Sequence, residues 1–306
     1  MKKEIIKSKH NGFCPFVEVA INKTCNAKLK YDDIYTSSIV VHNRKIQSAL
    51  DVKNADNDIN NIDFKSNKTK CMVISAHGAK SSFINDLKKN NIDIIDATCP
   101  IVKKITEKTI STDNDIIYIG DKNHSEAKFF LDNVEYSDKL NGKTRNIIVV
   151  CSPDDVRSNK DFFIGENNID VFVQTTFKKS EYDSICKEID KYSKLLCIKS
   201  INFESSICPD CLKRREDAVN LAKSCDCVIV VGDDMSNNAK ELFYLALDNL
   251  KSKKVYLVID ENQEEIEKCK NDDSIEKIGI ISSASSSKVI FDKVCSAFEI
   301  QKVNFF

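Results

Sequence analysis

Three of the four prolines in the chain directly follow a cysteine. Cys14-Pro15 precedes a helical pattern over 16–28. Cys99-Pro100 lies between an apolar run at 92–95 and a helical pattern over 101–110. Cys208-Pro209 precedes a helical pattern over 212–224. At the first helical position proline's missing N–H costs nothing, so each pair marks a point where extended chain turns into helix. A helix N-terminus favours thiolate over thiol, and thiolate is the form that binds metal. Three such thiolates on separate helix starts point to a metal or iron–sulfur centre that ties distant parts of the chain together. The plainer alternative is three unrelated buried cysteines. Thirteen cysteines would place some at junctions by chance, but the repeated proline is hard to obtain that way.

Short apolar runs alternate with helical patterns along all 306 residues. The clearest strands are predicted at 72–75, 116–119, 147–150, 171–173, 228–231, 255–259 and 278–281. Helices are predicted at 82–90, 180–192, 239–250 and 288–298. Residues 51–70, rich in Asn and Asp, read as a surface excursion, and 137–145 as a loop. Such alternation predicts an α/β fold with mainly parallel strands. The Cys-Pro junctions divide it into three small α/β domains: 15–98, 99–207, and 1–14 with 208–306. Each contributes one cysteine to a threefold-like arrangement around a shared centre, although the three stretches show little sequence similarity to one another.

A net charge of −1 gives no bulk attraction to nucleic acid or to an anionic membrane. No stretch is long and apolar enough to span a bilayer, and no apolar leader precedes Ile5-Ile6. An odd number of cysteines without a regular framework predicts a cytoplasmic protein with reduced thiols. Cys208-Pro209-Asp210-Cys211 is a CxxC, but a zinc site would need a second pair or histidines at ligand spacing. Cys225-Asp226-Cys227 does not serve, because its second cysteine begins a buried strand. Cys25, Cys71, Cys151, Cys186, Cys197, Cys269 and Cys295 sit in apolar patterns and read as small core residues.

Open α/β sheets bind ligands beyond the carboxyl ends of their strands, and here those ends share one chemistry. Val40-Val41 runs into His42-Asn43-Arg44, and the strand at 72–75 into His77-Gly78. Beyond 116–119 come His124-Ser125-Glu126, and beyond 171–173 Gln174-Thr175-Thr176. Ser236-Asn237-Asn238 follow 228–231, and Ser282 to Ser285 follow 278–281. Three of the four histidines are in this set; His10 reads as a loop residue. Imidazole, hydroxyl, amide and helix-start N–H groups suit a phosphate or diphosphate held largely by neutral donors. Glu126 is the carboxylate placed to move a proton; alternatively it is an ordinary carboxylate at a helix start.

These segments together resemble the 4-hydroxy-3-methylbut-2-enyl diphosphate reductase (IspH or LytB) family, from Gly12-Phe13-Cys14 to Ala284-Ser285. The resemblance implies three α/β domains in a pseudo-threefold trefoil around a central [4Fe–4S] cluster with one open iron site. It implies Cys14, Cys99 and Cys208 as the cluster ligands. His42, His77, His124, Thr176, Ser236, Asn238 and Ser285 would bind the diphosphate substrate, Glu126 would deliver protons, and Thr175 would position the substrate hydroxyl. The implied reaction is reductive removal of that hydroxyl to give isopentenyl and dimethylallyl diphosphate, the last step of the non-mevalonate isoprenoid pathway. A ferredoxin or flavodoxin would supply the electrons. The chain departs from the family pattern around these residues. Pro15-Phe16 replaces Ala-Gly, Ser125 replaces Pro, Phe129 replaces Gly, and Asn237 replaces Ser. Pro209 to Arg215 replaces a Thr-Thr-x-Arg-Gln-like segment, and Ser283 to Ser287 replaces Gly-Ala-Ser-x-Pro. Two alternatives follow: a paralogous [4Fe–4S] reductase or dehydratase acting on another small anion, and a non-catalytic iron or oxygen sensor.

Overall fold

The computed structural model describes residues 3–165, 168–196 and 198–298. From the amino end come β1 (Glu4–Lys7), α1 (Pro15–Ala27), β2 (Asp33–Thr36), α2 (Arg44–Leu50), β3 (Lys53–Asn54), β4 (Lys70–Ile74), α3 (Ser81–Lys89) and β5 (Asp93–Asp96). The middle of the chain forms α4 (Pro100–Ser111), β6 (Asp115–Ile119), α5 (Ser125–Asn141), β7 (Ile147–Val150), α6 (Pro153–Ser158), β8 (Asn168–Val173), α7 (Lys179–Leu195) and β9 (Ser200–Glu204). The last part forms α8 (Pro209–Ser224), β10 (Cys227–Val231), α9 (Asn237–Asn249), β11 (Val255–Val258), α10 (Glu264–Asn271), β12 (Lys277–Ser282) and α11 (Lys288–Ser296).

The strands make three four-stranded sheets, ordered β3-β2-β4-β5, β7-β6-β8-β9 and β11-β10-β12-β1. Every strand pairing among the described residues is parallel. Counting strands in chain order within each sheet, and in the third from β10 with β1 taken last, all three share the order 2-1-3-4. The third sheet takes its fourth strand from the opposite end of the chain, with Glu4 to Lys7 of β1 in register with Lys277 to Ile280 of β12. In this order the chain reverses its direction of winding between strands 1 and 3. Ligands of open α/β sheets collect beyond the carboxyl ends at such a switch point.

A parallel sheet covered on both faces needs apolar residues on both, so its central strands read as unbroken apolar runs. Cys227-Val228-Ile229-Val230-Val231 is such a run, with every residue buried. Cys227, Ile229 and Val231 pack with Ile266 and Cys269 of α10 and Phe291 and Val294 of α11. Val228 and Val230 face the other way, onto Ala218 and Leu221 of α8 and Leu242 and Ala246 of α9. Full burial of one such branched side chain contributes about 1.5–3 kcal/mol, so these runs hold the strand ends in place. The chain divides into two compact units. One comprises the described parts of 1–22, 40–51 and 209–306, and the other 23–39 with 52–208.

Several expectations are corrected. Val40-Val41 is not a strand; the strand lies earlier, at Asp33–Thr36, where two polar ends disguise a fully buried segment. Residues 137–145 are not a loop throughout, because α5 continues to Asn141 and is closed by Gly142 in the left-handed region (φ 65°). Arg145 pairs with Asp138 there (2.6 Å), so polar composition hides a helix end. The 51–70 stretch is the expected surface excursion, exposed or half-buried except at Ala55 and Ile62, and it carries β3 and a turn of 3₁₀ helix at Ile59–Asn61. Cys25 and Cys151 are exposed and Cys186 is half-buried, whereas Cys71, Cys269 and Cys295 are core residues. Cys197 lies outside the described residues.

Candidate active site

One hydrogen bond is repeated in all three sheets. The Cys99 N–H donates to the Ala76 carbonyl (3.0 Å), Cys208 N–H to that of Thr175 (2.8 Å), and Cys14 N–H to that of Ala284 (3.0 Å). Ala76, Thr175 and Ala284 each lie two residues beyond the third strand of their sheet, which ends at Ile74, Val173 or Ser282. Each cysteine follows the fourth strand and opens the next helix with proline at its first position. The next residues in the acceptor loops are His77, Thr176 and Ser285, all three predicted to bind the substrate. Helices that follow the first strands begin at a capping residue of the same kind. Asn43 Oδ1 accepts from Ile46 N (3.2 Å), His124 Nδ1 from Glu126 N (3.1 Å), and Ser236 Oγ from Ala239 N (3.3 Å).

In the unit that contains β6 and β8, Glu126 is buried at the second position of α5. Its Oε1 accepts the Thr175 N–H and its Oε2 the Thr175 hydroxyl, both at 2.8 Å. The Tyr118 hydroxyl stands 3.5 Å from Oε1. Burial pushes the carboxyl pKa up to about 7, opposed by the Thr175 and Tyr118 hydrogen bonds, while the nearby Cys208 thiolate charge adds to the rise. Thr175 thus links the acid to the Cys208 backbone. Because His124 Nδ1 accepts the Glu126 N–H, the ring carries its proton on Nε2 and presents a donor there. Gln174 fixes the neighbouring loop, accepting from Asp121 N (3.0 Å) and donating to Thr176 Oγ1 (3.0 Å). His77 is half-buried in a turn closed by Gly78 N to Ser75 O (3.0 Å).

The other unit holds Cys14, His42, Ser236, Asn238 and Ser285. Ala284 joins two of them: its carbonyl takes the Cys14 N–H, and its own N–H donates to Asn238 Oδ1 (2.9 Å). Asn238 is buried, and its Nδ2 has no hydrogen-bond partner among the described residues. The hydroxyls of Ser283 and Ser285 lie 3.1 Å apart. Burial lowers the His42 pKa against the pull of Asp233, keeping its imidazole neutral near pH 7. Asp233, itself fully buried, accepts the Arg44 N–H (2.8 Å) and the Met235 N–H (3.0 Å). The 42–44 segment therefore docks on the β10–α9 loop, which leads through Ser236 to Asn238 at the start of α9.

Two residues that the sequence did not single out hold this unit's loops. Asp233 is one. Arg214 is the other, a buried guanidinium that donates to Asp210 (2.7 Å) and to the carbonyls of Gly12 (3.0 Å) and Ser282 (2.9 Å). It braces the loop before Cys14 against the end of β12. A buried arginine within an apolar helical pattern is the signal that could have found it, since such a charge is retained only when partnered.

The family model of LytB protein matches residues 5–299. This chain belongs to the LytB family. Relatives in that family include the 4-hydroxy-3-methylbut-2-enyl diphosphate reductase of Campylobacter hominis, 30% identical, with 99% of each chain covered. The reductase of the same name from Alkaliphilus oremlandii is 29% identical, covering 95% of this chain and 97% of its own. The fold matches that of the E-1-hydroxy-2-methyl-but-2-enyl-4-diphosphate reductase of Plasmodium falciparum, with a TM-score of 0.80 at 24% identity over 100% of this chain and 91% of that one. Where this chain leaves the LytB pattern, the replacements do local structural work. Ser287, in place of proline, caps α11 through Ile290 N (3.2 Å). Ser283, in place of glycine, bonds with Ser286 (3.0 Å). Phe129, also in place of glycine, lays its ring over Gly78, so that a Cβ at Gly78 would meet it at 2.5 Å.

Proposed function

We propose that this chain reduces 4-hydroxy-3-methylbut-2-enyl diphosphate to isopentenyl and dimethylallyl diphosphate. The substrate takes up two electrons and two protons and loses its allylic hydroxyl as water. Cys14, Cys99 and Cys208 would hold a [4Fe–4S] cluster with one open iron. Their fit rests on three cysteines at equivalent points of three sheets, each with its backbone N–H tied to the same kind of loop carbonyl. Among the described residues no three His, Cys, Asp or Glu form a single-ion site; three cysteines of a cubane each serve a different iron. When bound, the cluster supplies electrons and Lewis acidity at the leaving oxygen.

The chain's own residues do the rest. His42, His77, His124, Thr176, Ser236, Asn238 and Ser285 bind the diphosphate, mostly as neutral donors. Thr175 orients the substrate hydroxyl, and Glu126 delivers a proton to the leaving oxygen. The observation that carries the reading is a buried carboxyl with a pKa of about 7, held by Thr175, whose carbonyl anchors a cysteine. A general acid works best when its pKa lies near the working pH. We assign the domains as 15–98, 99–207, and 1–14 with 208–306, arranged as a trefoil. A cytoplasmic ferredoxin or flavodoxin is the electron donor. Among the described residues no helix is long and apolar enough to cross a membrane.

The test is an anaerobic assay with reduced methyl viologen and the hydroxybutenyl diphosphate. Formation of both isoprenoid diphosphates is expected. Turnover of a different small anion with none of this substrate would establish the paralogue, and absence of any turnover in protein carrying its iron would favour a sensor.

A further inference from the structure

Asn43 has no role in the reading so far beyond capping α2, yet its side chain is only half used. It is 1% exposed. Its N–H donates to Val41 O (2.8 Å), its carbonyl accepts from Gln47 N (2.8 Å), and Oδ1 accepts from Ile46 N (3.2 Å). The bond from Ile46 fixes which end of the amide is oxygen. The other end, Nδ2, is buried with no hydrogen-bond partner among the described residues. Leaving a buried donor unmatched is costly, and native structures keep such a group for a reason.

Asn238, in the same unit, shows the same signature: its Oδ1 is taken by the Ala284 N–H and its Nδ2 is buried and unmatched. The two amides belong to segments joined through Asp233, which accepts the Arg44 N–H and lies in the loop leading to Asn238. Asn43 also occupies the capping position that His124 and Ser236 hold in the other two sheets. We propose that the Asn43 amide is a further donor to the substrate's diphosphate, beside Asn238. The proposal rests on the diphosphate reading above.

Aspartate and serine cap helices about as well as asparagine, so a capping role and a binding role separate cleanly. Holoenzyme variants Asn43→Ser and Asn43→Asp should keep their iron content and melting temperature. Titration with inorganic diphosphate should show Asn43→Ser binding about 10-fold or more weakly, the scale of one hydrogen bond to a charged group. Asn43→Asp, which replaces the donor with an acceptor-only carboxylate oxygen, should bind more weakly still, and both variants should raise KM for the hydroxybutenyl diphosphate far more than they lower kcat. Wild-type affinity in Asn43→Asp would overturn the proposal and leave Asn43 as a cap. Loss of iron in both variants would overturn it too, making the residue structural. If the wild-type holoenzyme itself fails to bind diphosphate, the functional reading falls first, and this inference with it.

Discussion

The loops at β6/β8 and at β10/β12 are built alike and hold different chemical groups. In each, the second residue of the helix after the first strand accepts the N–H of the residue two beyond the third strand. Glu126 Oε1 accepts from Thr175 at 2.8 Å, and Asn238 Oδ1 accepts from Ala284 at 2.9 Å. In each, that second partner gives its carbonyl to a Cys-Pro cysteine. The side chains differ in what remains. The buried carboxyl keeps a proton up to a pH of about 7, whereas the amide keeps an unmatched donor. One frame therefore holds a buried carboxyl in one sheet and a buried amide in another, which the proposed function reads as proton source and anion donor. The β2/β4 sheet breaks the plan. There the corresponding helix position is Lys45, which pairs with Asp260.

The comparison would break most visibly at the cysteines. Ser at Cys14, Cys99 or Cys208 should each remove most of the roughly four irons expected per chain of a cubane. Cys211→Ser, one turn away from the repeated position, should keep them. Iron retained in Cys14→Ser and lost in Cys211→Ser would end the equivalence of the three junctions.

The next test sets the two carriers against each other. Glu126→Gln should lower kcat by roughly 10²-fold or more, the scale of removing a general acid, with iron and substrate affinity kept. Asn238→Ala should chiefly raise KM, by about 10-fold or more. If the two effects exchange places, proton source and anion donor have been assigned to the wrong loops.

The pH dependence sharpens the same contrast. Because burial raises the Glu126 pKa to about 7, activity should fall as pH rises through 7, and Glu126→Gln should lack that limb. The sign for stability follows from the same shift. The folded protein holds this proton more tightly than the unfolded chain, so the contribution is full below about pH 4.5 and is lost as pH rises through 7. Thr175→Val removes a hydroxyl bond that opposes the rise, so it should move the limb to higher pH. A limb that stays in place would show that the hydroxyl does not tune the acid. The smallest effect belongs to the caps. Ser236→Ala should cost about 1 kcal/mol of stability, measured by denaturant unfolding of the iron-free protein.

Most of the elements were legible because their signals are local. Ile147–Val150 was predicted at its observed bounds, and α4, α8, α9 and α11 within three residues of theirs. Proline at a first helical position is a property of a few neighbouring atoms. So is the spacing of apolar residues along one element. The errors came where composition misstates burial. Asp33–Thr36 is polar at both ends yet wholly buried, because it lies between β3 and β4 in its sheet and Asp33 pairs with Lys53 (2.9 Å). Arg145 and Asp138 satisfy each other, so charged residues close a helix that reads as a loop.

By itself the sequence determined the α/β class, the three junctions, and the polar residues at the strand ends, whose order matches one family. Only the tertiary structure decided which strand lies beside which. Strand order depends on pairing between residues far apart in the chain, such as Ile5 with Ile278, and no local pattern encodes it. The Glu126–Thr175 contact spans 49 residues and the Cys14–Ala284 bond joins opposite ends of the chain. The raised pKa of Glu126 comes from the same source: it is set by desolvation and by partners that only the folded chain brings within reach.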